Sequence, residues 1–447
     1  MEPYIGMEKE EIFKILERGK YLEKDKLKFD SFKLFDITRA YFEKKDFEEV
    51  FVLECNNKRF EYWISQDLLI PPWETHWFQL KDNFLLKLEN ELLLKLIKQG
   101  IRKSGNLNKF CREIKMSVPT FYNVINKKNI EMISVIKLRK LLSYLKIRYK
   151  FINKKIECTR KGNIISIEHP HFPILLNNSF GAALLGMVIS DGCIYADKKA
   201  RNCNRTKYSS GEKESVDNFT KIVNKIYGKT HIQKEFIRNC SILKIGSSII
   251  GDSLLKVGAI LGHKAKKNGN VPWIIEYGDL ELKRNYLRAI FEDESSIYFG
   301  KYSYLILTRY RHLRELTEIH KSQLRTFEDK MNVRSFPTGH VNKSISIKKA
   351  LSKIDDEELK NIILNSAPKL LLDEAKILRE FGIDNRVWGR SLNKTALGNY
   401  SVAFDLFISR KESILKFYKE IGYSIKSKQE KLLKLVNRIN NNAAKTV

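Results

Sequence analysis

The sequence predicts an α+β chain whose C-terminal part is a pseudo-twofold pair of related modules, preceded by a helical segment and a small α/β N-terminal region. Three observations carry that expectation: a hairpin pattern near Asn56, a run of short amphipathic helices ending at Leu145, and a nine-residue pattern that occurs twice. The chain has 447 residues, 43% of them apolar, which suffices for two to four cored domains at ~100 to 200 residues each. Lys and Arg outnumber Asp and Glu by 82 to 53, a net charge of +29. With so much apolar residue the chain is no disordered polycation, and its excess charge attracts polyanions, nucleic acid first among them.

Several classes are excluded at once. The apolar run from Ala182 to Ile189 falls far short of the ~20 residues a bilayer span needs. The N-terminus, MEPYIGMEKEEIF, lacks the pattern of a signal peptide. A cytoplasmic protein with no membrane partner is expected. The six cysteines form no Cys-x-x-Cys pair and the eight histidines have no zinc-like spacing, which agrees with a reducing compartment and predicts no structural metal.

Taken in order, residues 1–85 mix aromatic and charged side chains, and VFVLEC, Asn56-Asn57 and RFEYWI predict a β-hairpin of unassigned role. Leu85 to Gly100, LLKLENELLLKLIKQG, carries Leu at helical spacing and stops at a glycine, the pattern of an amphipathic helix. Within residues 86–150, Leu107, Phe110, Cys111 and Ile114 recur on one helical face, and Lys115-Met116 make a turn. Ser117 then stands as an N-cap, Pro119 lies in the first turn, and Val118, Phe121, Val124 and Ile125 form a second apolar face. With a third helix from Ile133 to Leu145 this is a helix-turn-helix arrangement.

The segment resembles the phage-repressor-like helix-turn-helix domains over roughly 43 residues. The resemblance implies a second helix entering the major groove, with Thr120, Tyr122, Asn123 and Lys127 facing bases or phosphates. An ordinary three-helix bundle is the alternative. Residues 151–178, with a Lys-Gly turn and two prolines, are expected to form a linker with a hairpin.

The duplicated pattern carries the chemistry. Leu184 to Gly192 is LLGMVISDG and Leu287 to Ser295 is LRAIFEDES. Both have a small residue third (Gly186, Ala289), apolar residues fourth and fifth, and an acid eighth (Asp191, Glu294). Each is followed by a strand-like stretch, CIYA or SIYFG. Helices packed side by side through Gly186 and Ala289 would bring their terminal acids together, since small residues let backbones approach. Two carboxylates at one point repel unless cations sit between them. Oxygen ligands suit Mg²⁺ (or Mn²⁺), and in a basic protein the natural substrate is a phosphodiester.

These residues resemble the LAGLIDADG homing endonucleases in their single-chain, two-motif form, over about residues 175 to 437. The flanks agree: SFGAALLGMVISDGCIY, LLKVGAILGHKAKKNGNVPWII, and AFDLFISRKESILKFYKEIGYSIKSKQEKLLKLV. The resemblance implies two αββαββα modules, at residues 179–283 and 284–440, whose strands form a saddle over double-stranded DNA in one monomer with internal pseudo-twofold symmetry. It implies that Asp191 and Glu294 hold divalent cations, which activate water for in-line attack on one phosphodiester per strand. It also implies a basic residue in each half to stabilise phosphate charge: Lys428 in the second, and Lys264 or Lys266 in the first.

Two positions depart from the pattern, Asp293 where the first repeat has Ser190, and Ser295 where it has Gly192. An Asp293 near the helix seam requires a partner or solvent. The second half also holds about 57 extra residues, expected around residues 315–372 as a helical and hairpin elaboration. An intein is not expected, because the chain begins with Met1 and ends NNAAKTV. The reading is a site-specific, metal-dependent DNA endonuclease. Its alternatives are a non-catalytic DNA-binding regulator and a maturase that binds structured intron RNA on the same fold.

Overall fold

A computed structural model describes residues 37–444 apart from 46–47, 56–57, 66–67, 90, 127–131, 162–163, 198–202, 238, 301–302, 336–340 and 396. The chain is mixed α and β with several antiparallel sheets. It divides into two compact units, the first Met1–Gly181 with Thr220–Gln233 and Ile245–Val257, the second Ala182–Phe219, Lys234–Lys244 and Gly258–Val447. Among the described residues no helix is long and apolar enough to cross a membrane.

In the first unit, β1 (Ile37–Lys45), β2 (Glu48–Cys55), β3 (Lys58–Ser65) and β4 (Leu68–Ile70) form an antiparallel meander. The β2 and β3 register closes at Cys55 opposite Lys58, and Asn56-Asn57, the expected turn, lie outside the described residues. Next come β5 (Glu74–Thr75), β6 (Leu85–Leu88), α1 (Leu92–Ser104), α2 (Leu107–Glu113), α3 (Val118–Ile125), β7 (Met132–Ser134) and α4 (Val135–Leu145). The expectation of one helix over Leu85 to Gly100 is corrected here. Leu85–Leu88 is a strand, paired on both sides with alternate residues buried, and Glu91 turns the chain at a φ of 61° before the helix begins. Strand pairing has overridden the leucine spacing, as tertiary context does. Nor does the helix stop at Gly100, which lies inside α1 where a Cβ would strike the Phe110 ring.

Helices α2 and α3 are separated by Ile114–Ser117, with Lys115 in the left-handed region at a φ of 54°. The Phe110 ring packs tilted against those of Phe121 at 5.4 Å and Tyr144 of α4 at 5.5 Å, which ties the three helices to one core.

Residues 151–178 hold an antiparallel strand pair where the hairpin was expected, and that pair belongs to a larger sheet. β8 (Ile156–Lys161) and β9 (Ile164–Glu168) stand inside a five-stranded sheet of order β13-β9-β8-β6-β7, where β13 is Lys229–Thr230, and β10 (Ile174–Leu175) pairs with β5. The apolar residues Ile156, Cys158 and Ile167 are buried in that sheet, and the two prolines lie beyond its strands, where they cost no ladder bond. Trp77 is fully buried and donates from Nε1 to the Tyr149 carbonyl at 3.0 Å.

The second unit is organised by two sheets. The first has the order β11-β12-β15-β14, from β11 (Gly192–Asp197), β12 (Cys203–Ser210), β14 (Ile232–Ile237) and β15 (Cys240–Ile245). Helix α5 (Ser179–Ile189) leads into β11; α6 (Lys213–Tyr227) and α7 (Ser248–Lys256) follow β12 and β15 in sequence, although α7 and the end of α6 belong to the first unit, and the short α8 (Lys264–Lys267) and α9 (Trp273–Glu276) come next.

Helix α10 (Leu280–Glu294) leads into β16 (Ser295–Tyr298) and β17 (Tyr304–His312). After α11 (Glu318–Arg325), β18 (Asn332–Ser335), β19 (Val341–Ser346), α12 (Ile347–Leu351), α13 (Glu357–Leu364) and α14 (Lys369–Glu380) come β20 (Arg386–Lys394), β21 (Tyr400–Ile408), α15 (Lys411–Glu420) and α16 (Lys426–Ala444). The second sheet has six strands in the order β16-β17-β21-β20-β19-β18, so β18 and β19 extend its outer edge. In β17 the period of two puts Leu305, Leu307 and Arg309 on the buried face, with Tyr304, Ile306, Thr308 and Tyr310 on the other.

Candidate metal and catalytic centre

Helices α5 and α10 meet at their small third positions. A Cβ built on Gly186 would lie 2.7 Å from the Ala289 Cβ and 2.8 Å from the Tyr286 carbonyl oxygen, so only glycine fits this seam. Gly186→Val should therefore cost about 1–3 kcal/mol through overpacking, read as a lower midpoint in chemical denaturation.

At the seam's C-terminal end the two seventh positions meet. Ser190 Oγ and Tyr208 Oη both donate to the Asp293 carboxylate, the latter at 2.8 Å. Burial, followed by repulsion from Asp191 and Glu294, pushes Asp293 up to about 7 against those two hydrogen bonds. The charged residue at the seam thus has its partners.

The ninth positions differ for a reason the sequence did not show. Gly192 is required by close approach, since a Cβ there would sit 2.6 Å from the Val188 Cα. Ser295 leaves α10 in extended conformation at φ −88° and ψ 153°, with its hydroxyl 2.5 Å from the Phe291 carbonyl and 2.7 Å from Tyr423 Oη. A positive φ is needed at neither position.

Beside this seam stand Asp191, just past the end of α5, and Glu294, the last residue of α10. Burial, then the charge of Glu294, pushes the Asp191 carboxyl up from 3.8 to about 6, opposed by Lys264, Lys428 and Arg309. The two acids therefore act on each other through one local field.

Each also has a lysine fixed nearby. Lys264 Nζ donates to the carbonyls of Ile189 at 2.6 Å and Gly192 at 3.0 Å, and to that of Ser190. Lys428 Nζ donates to the Glu292 carbonyl and lies 3.8 Å from Glu212. Both lysines satisfy carbonyls at the end of a motif helix, where a cation complements the macrodipole. Burial lowers the proton affinity of Lys264. Lys266 is exposed and makes no such contact with the α5 terminus. Glu292 has another task, accepting from the Ser424 and Ile425 amides and so fixing the chain as it enters α16, which carries Lys428.

Two residues packed against the candidate site, Arg309 and Glu374, escaped the sequence reading. Arg309 of β17 is buried and donates to Glu294 through Nη1 and to Glu374 of α14 through Nη2 at 2.7 Å and Nε at 3.3 Å. Burial opposes the guanidinium charge, but Glu294 and Glu374 together hold it protonated. Ser190, Lys264, Glu294, Thr308, Arg309 and Tyr310 are among the residues around a cavity of about 240 Å³.

Among the described residues no group of three or more His, Cys, Asp or Glu is set for a metal ion. The donor set nonetheless suits Mg²⁺, which is commonly held by one or two carboxylates with water and substrate phosphates completing the octahedron.

In α3, the helix expected from the sequence to carry base or phosphate contacts, Tyr122 is 55% exposed. Lys127 and the side chains of Thr120 and Asn123 lie outside the described residues.

In sequence, the chain matches no family model and no curated protein. Among solved structures it is similar to mesophilic variants of the homing endonuclease I-DmoI, at 13% identity over 55% of this chain and 97% of that one, with a TM-score of 0.30. It is similar to I-DmoI in complex with DNA and Mn at 14% identity, over 54% and 96%, also at 0.30. It is similar to full-length WhiA from Thermatoga maritima at 16% identity, over 60% and 67%, at 0.28. I-DmoI complexes with DNA have also been solved with Ca and Mg. At these scores the likeness transfers no chemistry to this chain.

Proposed function

We propose that this chain is a divalent-metal-dependent double-strand DNA endonuclease of the homing-endonuclease kind, a monomer in which two modules share one centre. The observation that carries the reading is the convergence of Asp191 and Glu294, at the ends of helices packed through Gly186 and Ala289, with Lys264 and Lys428 held at the same helix ends. Asp191 and Glu294 would hold Mg²⁺ or Mn²⁺, which supplies Lewis acidity towards a phosphodiester. Lys264 and Lys428, fixed by carbonyls, place positive charge where phosphate oxygens gain charge in the transition state. The net charge of +29 draws the duplex in, and helices α1 to α4 add a second contact through α3.

A specific observation favours a second reading, a DNA-binding regulator without cleavage: Glu294 is already ion-paired with Arg309. The deciding experiment offers the protein DNA from its own locus, with the flanks rejoined, in Mg²⁺ and in EDTA. Discrete double-strand cuts lost in EDTA support the endonuclease; tight, salt-sensitive binding without a cut supports the regulator. Lys264→Met and Lys428→Met should each slow cutting by about 10²-fold, seen in single-turnover rates on the same DNA.

A further inference from the structure

One cluster of basic side chains has no part in the chemistry above. His263 immediately precedes α8 and His312 ends β17; their rings meet edge to face with centroids 5.2 Å apart. Lys266 lies in α8, and Arg314, two residues past β17, donates from Nη1 to the Lys266 carbonyl at 3.5 Å. By strand register His312 is in phase with Thr308 and Tyr310, both on the cavity, and His263 lines that cavity too. The charged groups that act on His263 are Lys266 and Lys264, and those on His312 are His263, Lys266 and Arg314, all of them basic. The nearby Glu315 is taken up by Arg311. Burial first, and these cations second, depress the proton affinity of both imidazoles. Basic groups gathered in this way repel one another when protonated, and an anion among them turns that repulsion into charge-assisted hydrogen bonding.

We propose that His263, His312, Lys266 and Arg314 form a seat for one backbone phosphate of a bound duplex, beside the carboxylate centre. The inference rests on the DNA-binding part of the reading above and not on cleavage.

Filling the seat raises the proton affinity of both imidazoles, so binding takes up protons. The linked gain in affinity is full below the pKa of the free imidazoles and is lost as pH rises through their pKa in the complex.

The test uses the full chain, EDTA to prevent cutting, and a random-sequence duplex of about 30 base pairs. Affinity is measured from about pH 5.5 to about pH 8, and the imidazoles are followed by NMR. Wild type should tighten towards low pH by up to about tenfold per unit for each proton taken up, with the His263 and His312 titrations moving to higher pH on adding duplex. The His263→Gln/His312→Gln double variant should lose that part of the pH slope while keeping its affinity at about pH 8. Lys266→Gln should reduce the salt slope by about 0.9, one phosphate contact. Unmoved imidazole titrations, or the same pH slope in the double variant, overturn the seat while leaving DNA binding intact. No duplex binding at any pH overturns the seat and the proposed function together.

Discussion

Replacing Asp191 by Asn should abolish metal-dependent cutting, a loss of about three orders of magnitude or more, equivalent to roughly 4 kcal/mol of barrier, and should at the same time make the fold more stable. The second half of this expectation comes from the acid's own electrostatics. In the folded chain the carboxyl is held at about 6 against an ordinary 3.8, first by burial and then by Glu294. The folded state thus binds this proton more tightly than the unfolded one. Stability falls as pH rises from about 4 to about 6, and the full cost is present above that. The amide carries no charge and escapes it. Because Asp191 is partly in solvent, screening reduces the gain to a few tenths up to about 1 kcal/mol. Thermal unfolding at about pH 7.5 and at about pH 4 checks it: the variant should melt higher at the first and level with wild type at the second. At divalent metal below saturation, wild-type cutting should also fall below about pH 6, where protons compete with the cation for the Asp191 carboxylate. A variant that still cuts sinks the site assignment; one that melts lower at neutral pH sinks the electrostatic account.

Arg309→Met should cost about 3–5 kcal/mol of stability, because it strands a buried carboxylate. The Glu374 side chain is fully buried, and its partners are the Arg309 guanidinium and, at 3.4 Å, the Tyr286 hydroxyl. Removing the arginine leaves Glu374 to take up a proton or break the packing around α14. The double variant Arg309→Met/Glu374→Leu removes both charges and should recover most of the loss, since apolar replacements of buried ion pairs are often neutral. Urea denaturation of wild type, single and double variants gives the comparison. A single-variant loss under about 1 kcal/mol, or a double variant no better than the single, would show that the Arg309–Glu374 pair does not hold the packing around α14.

Much of this centre was legible because repetition is independent of local propensity: the acids eighth in each repeat, the small third residues and the strands that follow can be read without knowing the fold. Arg309 and Glu374 were missed although they left a signal. Arg309 falls in the apolar phase of an alternating strand after Leu305 and Leu307, and Glu374 lies on the buried face of α14 with Leu370, Leu371, Ala375 and Leu378. Charged residues in two buried phases ask for each other, but nothing in the sequence says that these two elements are neighbours. Leu85–Leu88 failed differently: leucine spacing describes a helix and a strand equally well over four residues, and only the partners Met132–Ser134 and Ile156–Arg160 decide it. At the ninth motif position the need for glycine in the first repeat is steric, set by the Val188 backbone, and no local pattern shows it.

The unequal sheets of the second unit have a consequence for orientation. At ~4.8 Å between strands, six strands span roughly 24 Å and four span roughly 14 Å. On the endonuclease reading, a duplex laid across both has a long arm and a short one. Turned end for end, it would present the wrong bases to the wider sheet. On that reading the protein would have a head and a tail on DNA, and its target would be an arrow rather than a palindrome.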